Sequence, residues 1–454
     1  MSSTTLLQKI RHHEPLSAQE QRRLILSLSW PAILAQISVT IMQLIDAGMV
    51  GQLGTQASAS IGLVASTTWL INGVSSGAVY GFSVQTAQAI GAKNIPQACN
   101  VCFQGLVAVL GVGLFLGLGG ASISRLVPLW LGAQPEIVPE AIVYLRLFCL
   151  TLPFSLLNSW SVQMLQAAGD TKIPGFCEIG MCLMDVFFNA WLIYGLHLGV
   201  AGAALGTALA TACCALFLSW WALFKNPFLS QKKHLHFTKA SLQQAFRIGL
   251  PISLEQLITG SSYVTFTRIV SSLGTISIAA NSFAITAESL CYMPAFGCSS
   301  AATAILGQCT GANRPQLAQE ISWRLVRIGI LMMSFSGLIM FIFAQGLMAI
   351  LTPDTAVQDL GASLLRLEAF AEPMYGASIV ANGILRGKGD TIWPACLNFI
   401  SIWCIRIPLA AFLAKQVGLF GAWIAMGLEL DARGLLFLWR LKSAWKSKSP
   451  KKEA

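Results

Sequence analysis

Long uncharged apolar stretches alternate with short polar ones along all 454 residues of the chain. From Gly105 to Ser124, for example, no residue is charged. About 20 apolar residues cross a bilayer as a helix. Reading the runs this way predicts about twelve helical spans, near 24–48, 60–90, 97–123, 137–167, 173–196, 199–224, 244–272, 276–307, 318–350, 357–385, 392–415 and 418–441. Barrel strands are not expected, because they alternate in polarity and are only about half as long. The N-terminus is polar through Arg23, and no small-residue cleavage site follows a short apolar core, so no cleavable signal peptide is expected.

The pattern is written twice. A shift of 220 positions (251 less 31) carries Pro31 onto Pro251, Leu34 onto Leu254 and Gln36 onto Gln256. The same shift carries Leu53-Gly54-Thr55 onto Leu273-Gly274-Thr275, Gln88 onto Gln308 and Gly91-Ala92 onto Gly311-Ala312. Further on it matches Leu145-Arg146-Leu147 with Leu365-Arg366-Leu367, and Gly169-Asp170-Thr171 with Gly389-Asp390-Thr391. This period is far longer than that of a solenoid, so a whole lobe of about six spans is duplicated. An even number of spans returns the chain to its starting side, which gives parallel lobes related by a pseudo-two-fold axis along the membrane normal. The expected fold class is an all-α integral membrane protein with two six-helix lobes. The first lobe is placed at 1–224, a cytoplasmic linker at 225–243, and the second lobe with its basic tail at 244–454.

Composition agrees. The chain is 55% hydrophobic and 11% charged, against about 25% charged in a soluble domain. The net charge of +10 is explained by placement rather than by nucleic acid. Lys9, Arg11, Arg22 and Arg23 precede span one; Lys225, Lys232, Lys233 and Lys239 lie between the lobes; Arg386 and Lys388 follow span ten; Lys442, Lys446, Lys448, Lys451 and Lys452 form the tail. The alternate loops hold little beyond Arg125 and Lys415 with Glu136, Asp354 and Asp359. By the positive-inside rule both termini and the linker are expected in the cytoplasm.

Charges within the spans are the candidate chemistry, since an acid at the bilayer centre costs at least ~2.5 kcal/mol. Asp46 lies late in span one, where the alternative is a loop-edge residue before Gly48 and Gly51. Glu178, Asp185 and Asn189 fall on one stripe of span five. That stripe could hold a cation or relay a proton, or Asp185 and Asn189 could simply bond a neighbouring helix; Glu178 is expected to be a snorkelling or solvated acid. In the second lobe Glu255 and Glu288 have no obvious partner, and Glu368 and Glu372 are one turn apart before Pro373. Asp431 is expected to pair with Arg406 or Arg433. Asp170 and Asp390 match across the repeat and so should serve the shared scaffold. Asp46 maps to Phe266 and Glu255 maps back to Ala35, so these two acids mark where the lobes have specialised. Pro31, Pro153, Pro251, Pro294 and Pro373 can bend their helices, either for motion or for packing.

Other chemistries are not supported. Gly387-Lys388 is followed by Gly389, so no phosphate loop is completed, and energy would have to come from an ion gradient. Cys99 and Cys102 form a lone Cys-x-x-Cys, a weak metal or redox signal. The cysteines are read as small buried hydrophobes. No metal site, cofactor or catalytic constellation is expected, and the chain is not read as an enzyme.

Several segments together resemble the multidrug and toxic compound extrusion family over nearly the whole chain. They are Asp46-Ala47-Gly48-Met49-Val50-Gly51-Gln52-Leu53-Gly54, Gly169-Asp170-Thr171, Val270-Ser271-Ser272-Leu273-Gly274-Thr275, Gly307-Gln308 with Gly311-Ala312, and Leu385-Arg386-Gly387 with Gly389-Asp390-Thr391. The resemblance implies a monomeric, twelve-helix antiporter that exports lipophilic, often cationic compounds in exchange for Na+ or H+. It would sit in the cell membrane, the inner one in a Gram-negative cell. Asp46 matches the family's first-helix acid implicated in coupling. Glu255 lies about a turn before the seventh-helix glutamate of the sodium-coupled branch, whose place is nearer Thr259. In span five Asp185 precedes Asn189, the reverse of a common family order. Tyr375 lies near the tenth-helix acid of some members, with Glu372 close by. The expected cation-coupling residues are therefore Asp46, Asp185, Asn189 and Glu255. The expected substrate-binding residues are Asp46, Glu255, Glu288, Glu372 and Tyr375. The alternatives are a lipid or polysaccharide-precursor flippase of related fold, and a channel or scaffold.

Overall fold

The computed structural model describes residues 3–133, 135–230 and 237–446. Lys232, Lys233, Lys448, Lys451 and Lys452 lie outside the described residues. The described chain is helical, in the order α1 (Ser3–Arg11), α2 (Ala18–Gly51), α3 (Thr55–Gly91), α4 (Ile95–Ile123), α5 (Val127–Trp130), α6 (Val138–Ala168), α7 (Lys172–Ala190) and α8 (Gly199–Trp220) for the first copy. The second copy holds α9 (Lys239–Ser271), α10 (Thr275–Gly311), α11 (Pro315–Leu351), α12 (Thr355–Glu368), α13 (Glu372–Gly387), α14 (Ile392–Phe399), α15 (Ile407–Val417) and α16 (Leu419–Lys446). Turns of π-helix extend α7 over Trp191–Gly195 and α8 over Trp221–Lys225, and Ile400–Arg406 joins α14 to α15. No strand occurs among the described residues.

Among the described residues, eight helices are long and apolar enough to cross a membrane: α2, α4, α6, α7 with its π-helical turn, α8 with its π-helical turn, α10, α11 and the joined α14–α15. The other predicted spans fall on α3, α9, α12 with α13, and α16. Span ten departs from its expectation of one rod. It breaks at Ala369–Ala371, just before Pro373 in the first turn of α13, whereas the copy Pro153 lies inside the unbroken α6. The helix α1 is a further departure, formed where only a polar tail was expected.

The duplication is visible in the turns. Gly169 and Gly389 end their helices at φ 91° and φ 85°, a left-handed conformation that costs glycine nothing. Behind them, Asp170 N–H donates to the Leu165 carbonyl and Asp390 N–H to its copy, the Leu385 carbonyl. Asp170 Oδ1 accepts from the Ile173 N–H and Asp390 pairs with Arg440. The backbone turn is shared, while the side chains differ: Asp170 bonds within its turn and Asp390 ties its turn to α16.

The lobes meet through α2 against α10 and α3 against α9. Backbones touch there. A Cβ on Gly91 would strike the Gln308 carbonyl, and one on Gly311 the Gln88 carbonyl. The start of each lobe's first helix is embedded in the other lobe: Ile25 of α2 joins a core built from α10, α11, α13 and α16, while its copy, Ala245 of α9, joins the first-lobe core. Leu6, Leu7 and Ile10 of α1 are buried in the former core and cover this junction. Toward the opposite end, Gly48, Gly51, Gly54 and Gly274 have no neighbour within 4 Å of where a Cβ would stand.

Candidate ion and substrate site

Two polar groups lie inside the first lobe. α7 packs along α2 where Gly175 admits the backbone of Pro31. About four turns further along α7, the Asn189 side-chain amide donates to Asp46 Oδ1 at 2.9 Å and to Asp185 Oδ2 at 3.0 Å. Asp185 and Asn189 are essentially fully buried, while Asp46 is half-buried. Gly206 of α8 makes room, since a Cβ there would collide with Asn189 Oδ1. Asp185 Oδ1 and Asn189 Oδ1 are buried without a hydrogen-bond partner. The ion pairs of the described residues include neither acid. One amide thus spends both N–H groups on two carboxylates, and unused oxygens remain. Uncompensated carboxylates in a dry site need a proton or a cation.

Glu178, nearer the start of α7, is buried and accepts from Asn158 Nδ2 of α6 at 2.9 Å. It does not snorkel, because its side chain turns into the lobe toward Asn158 of α6.

The second lobe places its acids differently. Glu255 has partners, contrary to expectation. It accepts from Asn382 at 2.8 Å and Asn398 at 2.6 Å, and pairs with Arg386 at 2.9 Å. Arg386, expected in a loop as a topology charge, sits instead in the last turn of α13, with its side chain 13% exposed. Its guanidinium also lies 5.3 Å from the ring centre of Tyr80, on α3 of the first lobe.

A cavity of about 50 Å3 opens among α9, α10, α13, the π-helical turn and α16, lined by Glu288, Tyr292, Tyr375, Arg406 and Arg433 with Thr259. Tyr292 and Tyr375 meet edge to face at 5.6 Å. Arg406 and Arg433 are both held by Glu429, at 2.6 Å and 2.7 Å. The expected pairing through Asp431 is therefore corrected. Glu429 is one turn before Arg433 and shares its face, whereas Asp431, two residues on, points elsewhere. Glu368 and Glu372 are fully buried, and their carboxyl oxygens lack hydrogen-bond partners.

Of the expected site residues, the structure brings Asp46, Asp185 and Asn189 together and sets Glu288 with Tyr375. Glu372 lies behind that cavity beside Cys291, and Glu255 is in a separate ion pair. Asn158, Arg386 and Glu429 were missed as partners. The helical spacing of Asn382 and Arg386, i and i+4, was the available signal for one of them.

The MatE family model matches the chain twice, over residues 31–191 and 251–412, and the two starting positions stand in the register of the repeat. A relative from Thermotoga maritima, described as a probable multidrug resistance protein NorM, is 27% identical over 439 residues, covering 95% of this chain and 94% of its own. A probable multidrug resistance protein YoeA from Bacillus subtilis is 22% identical and covers 92% of this chain and 93% of its own. Among solved structures, a crystal structure of MATE in complex with MaL6 superposes with TM-score 0.91 at 22% identity, over 99% of this chain and 100% of that one. A mutant of the Vibrio cholerae MATE transporter VcmN gives TM-score 0.89 at 17% identity, over 98% of this chain and 99% of that one. With the family model matched in both halves and the two-lobed fold in place, the chain belongs to the MatE family of transporters.

Proposed function

We propose that this protein is a multidrug efflux antiporter that exports lipophilic, often cationic compounds in exchange for H+ or Na+. The observation that carries this reading is the Asp46–Asn189–Asp185 group. Two carboxylates share one amide, no arginine or lysine neutralises them, and Asp46 remains partly exposed. Such a group can exchange a proton or cation with a solvent path. Its Asp46 sits in α2 away from the close backbone contacts between the lobes at Gly91 and Gly311, a placement that suits alternating access about that junction.

In this reading twelve spans cross the cell membrane, with lobes at 1–224 and 244–454 about a linker at 225–243. The α1 end faces the cytoplasm, and in a Gram-negative cell the membrane is the inner one. The chain works as a monomer, and its non-protein partners are drug-like cations and lipid. Asp46, Asp185 and Asn189 bind the coupling ion. Glu288 and Tyr375 line the second-lobe cavity and contact substrate, with Glu372 behind them. Glu255 acts as the counter-ion of Arg386.

The relatives' names supply the substrate class, and the excess of buried acids suits cationic cargo. The test is efflux of a fluorescent organic cation from vesicles holding the purified protein, with sodium and proton gradients imposed separately. One gradient is expected to drive efflux. If neither does for any of a panel of organic cations, the proposal fails.

A further inference from the structure

We infer that Glu178 and Asn158 form a second proton-binding station of the first lobe, between the Asp46–Asn189–Asp185 group and the α1 end. The inference rests on the antiport reading above, in its proton-coupled form. Glu178 precedes Asp185 by seven residues, about 10 Å along the helix and on the same face.

Comparison of the two copies shows why this acid is unusual. The repeat carries Glu178 onto Asn398, Ala35 onto Glu255 and Gln166 onto Arg386. Each lobe buries a carboxylate with amide donors at this level, Glu178 with Asn158 in the first and Glu255 with Asn382 and Asn398 in the second. In the second lobe Asn398 donates to Glu255, and Arg386 neutralises the charge. In the first lobe the place of the arginine is taken by Gln166, whose Oε1 is buried without a partner. Glu178 is 7% exposed, and the ion pairs of the described residues do not include it. The first lobe thus carries its acid at the repeat position of the second lobe's Asn398, with a glutamine where the second lobe has the counter-ion.

The amide beside it is poised for a protonated carboxyl. Asn158 is 8% exposed; its Nδ2 donates to Glu178 Oε1 at 2.9 Å, while its own Oδ1 is buried with no donor. A carboxylate offers only acceptors, whereas a carboxylic acid adds one O–H donor. With a proton on Glu178 the pair can close both hydrogen bonds that an acid and an amide make. The free acceptor is the second observation that points to a proton rather than to a fixed structural charge.

The surroundings leave Glu178 as the group that titrates. Cys177 and Cys182 of its own helix and Cys214 of α8 face it. On α2 no titratable side chain lies between Arg23 and Asp46, and on α6 only Cys149 lies between Arg146 and Gly169. A carboxyl titrates well before thiols do. A proton leaving the Asp46–Asn189–Asp185 group would be taken up by a Glu178 carboxylate oxygen and released to water at the α1 end. Nothing else is consumed.

Infrared difference spectroscopy of the purified full chain in lipid vesicles, titrated with pH, gives the direct readout. We expect a buried carboxylic-acid carbonyl band that disappears in Glu178→Gln and shifts in frequency in Asn158→Ala. In the same vesicles, under a pH gradient without sodium, Glu178→Gln should slow efflux of a fluorescent organic cation at least tenfold and Glu178→Asp should restore part of it. If no gradient drives the wild type, the antiport reading itself fails. If the pH gradient drives wild type and Glu178→Gln alike with one pH profile, antiport stands and the station is overturned. A band insensitive to both substitutions, or one that sodium abolishes at constant pH, also overturns it. Where Glu178→Gln is not recovered folded, the Asn158→Ala shift decides, and its absence counts against the station.

Discussion

The side-chain amide of Gln308 donates to the backbone carbonyl of Ala167 at 2.7 Å, so a second-lobe residue bonds the first lobe directly. The repeat supplies the mirror bond, from Gln88 to the carbonyl of Gly387 at 3.3 Å. Gln308 carries an extra load. Its Oε1 accepts from Arg11 Nη2 of α1 at 3.0 Å, and that guanidinium stacks 4.2 Å from the centre of the Phe228 ring. Burial pushes the Arg11 guanidinium down to about 10, so it is still charged at neutral pH. Gln308→Ala should leave a buried charge without its acceptor, at a cost of about 1–3 kcal/mol. Gln88→Ala should cost less. Thermal unfolding of the two variants in detergent checks the order, and equal shifts would show that α1 is not held through Gln308.

Asp46→Asn should reach the membrane at normal levels yet lower drug export at least tenfold. The substitution preserves size and removes only the charge that a coupling ion would meet in the proposed exchange. Asn189→Ala should weaken export as well, because each carboxylate then loses its donor. Resistance assays beside quantitative membrane blots separate transport from abundance. Full resistance in the Asp46→Asn strain would make the acid structural.

Glu255→Gln is expected to act through folding. It strips a buried arginine of its counter-ion, which typically costs about 3–5 kcal/mol. Replacing both partners, Glu255→Leu with Arg386→Met, should recover much of that stability, since the uncompensated charge is gone. The measurement is a double-mutant cycle on thermal stability. A single Glu255→Gln variant as stable as wild type, with altered sodium dependence, would return Glu255 to the ion-binding set.

The frame was legible because a bilayer forces its signature on a sequence. Backbone polar groups must be satisfied within each span, so apolar runs, the repeat and the Gly-Asp-Thr turns could be read directly. Asp185 and Asn189 were legible as a pair because helical spacing alone puts them on one face. The partnership of Glu255 with Arg386 was not, since 131 positions separate them and only tertiary packing joins them. Glu429 and Asp431 show the limit within one helix. Two acids two residues apart compete for the same arginines, and the rotation of α16 against α14–α15 selects the first. The helix α1 was missed because its short apolar face, Leu6, Leu7 and Ile10, lies outside any membrane-length run.

Glu288 gives the sharpest test of the second-lobe cavity. It shares that wall with Arg406 and Arg433, whose charges are directed to Glu429 behind them. Two arginines against one shared carboxylate would repel a cationic guest, and Glu288 restores neutrality while three tyrosines, Tyr263, Tyr292 and Tyr375, offer aromatic surfaces. Glu288→Gln should therefore weaken binding of a monovalent organic cation about tenfold, the equivalent of about 1.4 kcal/mol. A neutral ligand of similar size should be nearly unaffected. Equilibrium binding of both ligands to the detergent-purified protein makes the comparison, and an equal loss for the two would mean that Glu288 shapes the cavity without reading the charge of its guest.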